Sequence, residues 1–168
     1  MDASQYSAAA VLRDGTAVAI RAQRPTDRDG LRSALLQLGK ESVQRRFFAP
    51  RRSFSEREVS FFLDIDFVQQ VALVAVAGGA IIGGCRYIVI EPGVAEVAFS
   101  VADDWQGRGL GRVLMEHLTA IARHQGLHQL VAEVLRENAS MLAVFRHSGL
   151  PTVTHHEGGV VHMTMRLT

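Results

Sequence analysis

Val18 and Ile20 alternate with smaller or polar neighbours across residues 15–21, the period of a short strand. Pro25 closes that run. Thr26, with Asp29 three residues on, forms a variant capping box ahead of Leu31, Ala34, Leu35 and Leu38 at helical spacing, and Gly39 stops the helix. Ser55 and Glu58 cap a second helix that carries Val59, Phe62 and Leu63. Over residues 67–101, β-branched runs broken by Gly78-Gly79 and by Glu91-Pro92-Gly93 predict three strands in an antiparallel meander. In the third of them Ala95, Val97, Phe99 and Val101 share one face, and Glu96, Ala98 and Ser100 the other. Leu110, Val113, Leu114, Leu118 and Ile121 mark an amphipathic helix that ends near Gly126. Residues 130–135 read as a strand, Asn138 opens a helix bearing Met141, Leu142, Val144 and Phe145, and residues 152–167 hold two strands around Gly158-Gly159. The order β-α-α-β-β-β-α-β-α-β-β predicts an α/β protein, α+β in the mixed character of a largely antiparallel central sheet. Residues 1–15 show no such pattern and read as a flexible tail, which leaves 16–168 as a single domain.

A length of 168 residues suits one globular unit, and 48% hydrophobic against 21% charged residues is ample for a packed core. Eighteen Lys and Arg against seventeen Asp and Glu leave a net charge of +1, so no overall field favours nucleic acid. The single Cys85 forms no internal disulfide, which fits a reducing compartment. The longest uncharged stretch, residues 71–85, is shorter than a membrane span and contains four glycines, and the N-terminus lacks the basic start and apolar core of a signal peptide. A cytoplasmic location is expected.

The densest motif is Gln106-Gly107-Arg108-Gly109-Leu110-Gly111, where a strand runs into a helix start. Unpaired amides and the positive end of the helix dipole favour phosphate there, provided that no side chain blocks the approach. A P-loop is excluded because no Gly-Lys-Ser/Thr follows. A dinucleotide fingerprint is disfavoured because Arg112 stands where the third glycine belongs. The glycines alone serve equally for a tight turn. With its flanks, Ala95-Glu96-Val97-Ala98 before and Asn138 through Gly149-Leu150 after, the segment resembles the Q/R-x-x-G-x-G/A signature of the GNAT superfamily, the acetyl-CoA-dependent N-acyltransferases, over roughly residues 16 to 167.

That resemblance implies acetyl-CoA as co-substrate. Its pyrophosphate would rest on the loop formed by Gln106, Gly107, Arg108, Gly109, Leu110, Gly111 and Arg112, and its pantetheine arm along the edge of Phe99, Ser100 and Val101. A lysine ammonium, with a pKa near 10.4, must lose a proton before it attacks, and Glu96 is the candidate base, with a solvated strand carboxylate as the lesser alternative. A backbone N–H near Phe99 would steady the developing oxyanion. Asn138 suits either pantetheine or a helix N-cap. Phe145 stands where many family members carry a tyrosine that protonates the departing thiolate; it packs on pantetheine or in the core, and the proton comes from elsewhere or is not needed.

Cys85, in an apolar strand without a neighbouring histidine, reads as a buried small residue. His124 and His128 have i,i+4 spacing, but Gly126 interrupts them and no further ligand completes a set, so no metal is expected. Gln44-Arg45-Arg46-Phe47-Phe48, the Ala-Glu-Val-Ala strand and Asp103-Asp104-Trp105-Gln106 resemble the bacterial protein lysine acetyltransferases that act on acyl-CoA synthetases. A protein lysine is therefore the expected acceptor, with a small amine and a non-catalytic acyl-CoA sensor as the alternatives. Arg45, Arg46, Arg51 and Arg52 suit an acidic protein surface or a solvated loop.

Overall fold

The computed structural model describes residues 1–31 and 64–168. The predicted helices over 26–39 and 55–63, and the basic segment over 44–52, fall wholly or mostly outside the described residues. Within them lie strands β1 (Ser7–Val11), β2 (Ala17–Ala22), β3 (Gln70–Ala77), β4 (Ala80–Glu91), β5 (Val94–Val101), β6 (Gln129–Leu135), β7 (Thr152–Glu157) and β8 (Val160–Arg166), with helices α1 (Leu110–His124) and α2 (Ala139–Arg146). The eight strands form one sheet in the order β1-β2-β3-β4-β5-β6-β8-β7. All neighbours are antiparallel except β5 and β6, whose parallel pairing is made possible by the α1 crossover.

The alternation read in β5 is the alternation found: Ala95, Val97 and Phe99 are buried, while Glu96 is exposed on the opposite face. Leu110, Leu114, Leu118 and Ile121 recur at helical spacing and bury one side of α1 among Leu73, Tyr87, Val97 and Phe99 in a single core cluster. Each such side chain contributes roughly 1.5–3 kcal/mol when fully buried.

The N-terminal segment differs from the expected loose tail. Ser7–Val11 pairs with β2 from Ser7↔Arg21 to Val11↔Ala17, and the flanking Ala3 and Leu12 are 1% and 4% exposed. Alanine-rich Ser-Ala-Ala-Ala-Val has too little contrast between its faces to show a strand period, so tertiary pairing decides the outcome. The connecting turn is closed by Gly15 at φ +86°, by Leu12 N–H donating to Thr16 O at 2.9 Å, and by Thr16 N–H donating to Asp14 Oδ1 at 2.9 Å. A one-turn 3-10 helix, Pro25–Asp27, precedes the predicted helix. Asp27 closes it, accepting the Arg24 N–H at 2.7 Å and hydrogen bonds from both Arg21 terminal nitrogens at 2.7 and 2.8 Å.

Candidate active site

β5 is paired along its length with β4, from Val94↔Glu91 to Val101↔Gly83, but β6 accompanies it only over Val94, Ala95 and Glu96. Beyond Glu96, β6 leaves with β8 as far as Leu135. The edge of β5 from Val97 onward is thereby opened, and a cleft of about 640 Å³ occupies the fork. Glu96, Phe99, Ser100 and Val101 line it from β5, Gln106, Gly107, Gly109, Leu110, Gly111 and Arg112 from the loop and α1, and Asn138 and Phe145 from the α2 side.

The loop is shaped for an anion. Gly107 and Gly109 have φ of +78° and +88°, a conformation that favours glycine, and Gly109 is the N-cap of α1 with no side-chain cap. The Val113 N–H finds Gly109 O at 3.2 Å, whereas the amides of the first helical turn before it have no helical carbonyl to bond. Gly111 serves another purpose: a Cβ there would stand 3.0 Å from Val144 Cγ2, so this glycine lets α2 pack close to the start of α1. Gln106 ties the loop to the strand, its Nε2 donating to Val101 O at 3.2 Å and to Asp103 Oδ1 at 3.3 Å.

Arg108 is the one predicted site residue that does not line the cleft. Its guanidinium stacks 4.5 Å from the Trp105 ring centroid and pairs with Asp14 at 3.6 Å, turned toward the β1–β2 turn. Asn138 is buried and caps α2, its Oδ1 accepting the Met141 N–H at 3.2 Å. That bond occupies the oxygen and leaves the amide nitrogen as the group a ligand can engage. Phe145 is 2% exposed and meets Phe99 edge-on, with ring centroids 5.5 Å apart.

Glu96 makes no hydrogen bond or ion pair among the described residues, so its carboxylate remains available to a ligand. Pairing with Val131 places it on the same sheet face as Glu133, two residues further along β6. Glu133 also lines the cleft and lies 3.4 Å from His162 Nδ1. Sequence reading missed Glu133 because a parallel partner and its register are set by tertiary structure. Arg13, from the β1–β2 turn, was missed with the strand that carries it; its Nη2 donates to Gly107 O at 3.1 Å. The cleft thus carries Arg13 at the loop, where Arg112 is paired with Glu116, and Glu96 and Glu133 at the fork.

Burial pushes the Cys85 thiol up, which disfavours the thiolate a covalent mechanism needs. The two histidines at metal-like spacing diverge: His124 Nε2 meets the N-terminal amine at 3.0 Å, while the His128 ring packs on Gly93.

Residues 40–150 match the Acetyltransferase (GNAT) family. This chain belongs to the GNAT family of acetyltransferases. Acetyltransferase PA5475 of Pseudomonas aeruginosa is 35% identical over 135 residues, covering 77% of this chain and 73% of its own. Acetyltransferase Pat of Mycolicibacterium smegmatis is 28% identical over 154 residues; the match takes in 89% of this chain but only 46% of Pat, so the chain spans about half of that relative. The crystal structure of the GNAT domain of S. lividans PAT superposes with a TM-score of 0.89 at 38% identity, covering 95% of this chain and 96% of that one. The GNAT chain described here is an N-acetyltransferase with acetyl-CoA as its donor. Among the described residues, no helix is long and apolar enough to cross a membrane.

Proposed function

We propose that this enzyme acetylates the ε-amine of a protein lysine by direct transfer, with Glu96 as general base, in the cytoplasm. The observation that carries the reading is the place of Glu96: exposed, lining the cleft, and at the last residue where β5 and β6 still pair. Bound acetyl-CoA supplies an activated thioester. The chain's part is to hold the coenzyme's diphosphate on the amides after Gln106 and the pantetheine along Phe99, Ser100 and Val101, with Asn138 Nδ2 as a further donor. A strand rises about 3.3 Å per residue, so Glu96 stands about 16 Å along β5 from Val101, at the far end of the cleft from the anion site. Its carboxylate accepts the proton of an incoming ammonium, and Glu133 on the adjacent strand adds negative charge that favours a cationic acceptor.

The kinship with Pat and with the S. lividans PAT domain supports a protein acceptor, and an acyl-CoA synthetase lysine is the first to try. The test is release of free thiol from acetyl-CoA with an acyl-CoA synthetase, with a polyamine and with amino-acid amines, by wild type and by Glu96→Gln. The expected result is turnover with the protein and a fall in kcat of about 10² or more in the variant at unchanged coenzyme affinity. Turnover confined to small amines would replace the acceptor assignment, and equal kcat in Glu96→Gln would remove Glu96 from the mechanism.

A further inference from the structure

The β1–β2 turn lies against the phosphate loop through two reciprocal contacts. Arg13 Nη2 donates to Gly107 O at 3.1 Å, and Asp14 pairs with Arg108 at 3.6 Å. The arginine sits closer to the loop than the one hydrogen bond indicates: a Cβ at Gly109 would come within 3.1 Å of Arg13 Nε. The guanidinium therefore lies against Gly109 while bonding the Gly107 carbonyl, and Arg13 lines the cleft. It has no carboxylate partner among the described residues, in contrast to the pairs Arg108–Asp14 and Arg112–Glu116 beside it. A guanidinium has five N–H donors and only one is used on Gly107. Its charge, with no carboxylate partner among the described residues, stands beside a helix start whose first amides have no helical carbonyl to bond.

We propose that Arg13 is a binding residue for the diphosphate of coenzyme A, a cation brought to the phosphate loop by the N-terminal hairpin rather than by the loop itself. This rests on the placement of the coenzyme in the cleft. The bond to Gly107 O holds the planar fork against the loop, and the remaining N–H groups are the donors offered to the diphosphate. Arg108, whose charge is taken by Asp14 and whose face is covered by Trp105, holds the hairpin in place instead.

The experiment is calorimetric titration of CoA, dephospho-CoA and pantetheine into wild type, Arg13→Gln and Arg13→Lys. Charge-assisted hydrogen bonds to phosphate are among the strong ones, and partial exposure weakens this one. Arg13→Gln is expected to raise the Kd of CoA and of dephospho-CoA alike by roughly tenfold, to flatten the dependence of Kd on salt, and to leave pantetheine affinity unchanged. Arg13→Lys is expected to stay within about threefold of wild type. An effect of Arg13→Gln that disappears with dephospho-CoA would move the contact to the 3′-phosphate and overturn the diphosphate assignment. A parallel loss for pantetheine would make Arg13 a shaping residue of the loop, and an unchanged CoA Kd would overturn the proposal while leaving the coenzyme site intact. Failure of wild type to bind CoA at all would take down the placement of the coenzyme, and Arg13 with it.

Discussion

Phe145 occupies the place where a proton donor for the departing thiolate is sought, and neither of the chain's two tyrosines lines the cleft. Tyr6 bonds to His117, and Tyr87 donates to Gln125 Oε1 at 2.7 Å on another side of the core. The leaving group is therefore not protonated by a tyrosine of the described structure. Cys85 is equally removed from the chemistry: it is 5% exposed and burial raises its pKa. Cys85→Ala is expected to keep kcat within about twofold while costing about 1 kcal/mol of stability, read by steady-state kinetics and urea unfolding. A large loss of kcat without loss of stability would give the thiol a role that its burial argues against.

Between the two helices, the approach of α2 to α1 is tight where Gly111 faces Val144. Gly111→Ala adds a methyl 3.0 Å from Val144 Cγ2, and the stiff β-branched side chain has little room to give. The variant is expected to push α2 outward and to weaken CoA binding several-fold, even though Ala is the better helix former; Val144→Ala in the same chain should restore the affinity. Persistence of the loss in the double variant would show that the strain lies elsewhere. The elements also show what was legible beforehand. The faces of β5, the glycine turn and the cap of α2 were readable because each is a local pattern. β1 was not, although Asp14-Gly15 is a strong turn signal, because its alanines give no strand period. Glu133 and Arg13 enter the site through strand pairing and a hairpin docked across the sheet, neither of which leaves a trace in local sequence.

Among the described residues the sheet is two antiparallel halves, β1 to β5 and β6-β8-β7, joined for three residues and then parted, with Arg13 at one end of the cleft and Glu96 and Glu133 at the other. Two groups away from that cleft, the half-buried His117 and the buried Asp27, contribute to the protein's pH response. Burial holds His117 below the ordinary histidine range, with Glu116 opposing, so the folded state binds fewer protons than the unfolded one. This stability is complete above about pH 6.5 and is lost as pH falls through the folded value. For Asp27, burial raises the carboxyl but bonds from Arg21 and from the Arg24 amide outweigh it and lower it. That contribution is complete above the unfolded value of about 3.9 and is lost below it, as pH falls through the folded value. Urea midpoints should therefore decline in two stages on acidification, with the upper stage reduced in His117→Gln and the lower one in Asp27→Asn; a single stage unaffected by either would contradict the assignment. Acetyl-CoA in the fork, with its diphosphate on the glycine turn, is tested by calorimetric titration of CoA into wild type and Gly107→Asp. No atom lies within 4 Å of a Cβ at Gly107 and aspartate tolerates a positive φ, so the variant should fold and yet place a carboxylate in the anion site. The account predicts tight binding by wild type and a loss of at least about tenfold, ~1.4 kcal/mol, in a variant whose melting temperature is nearly unchanged. Equal affinity in the two proteins would mean that the coenzyme binds elsewhere.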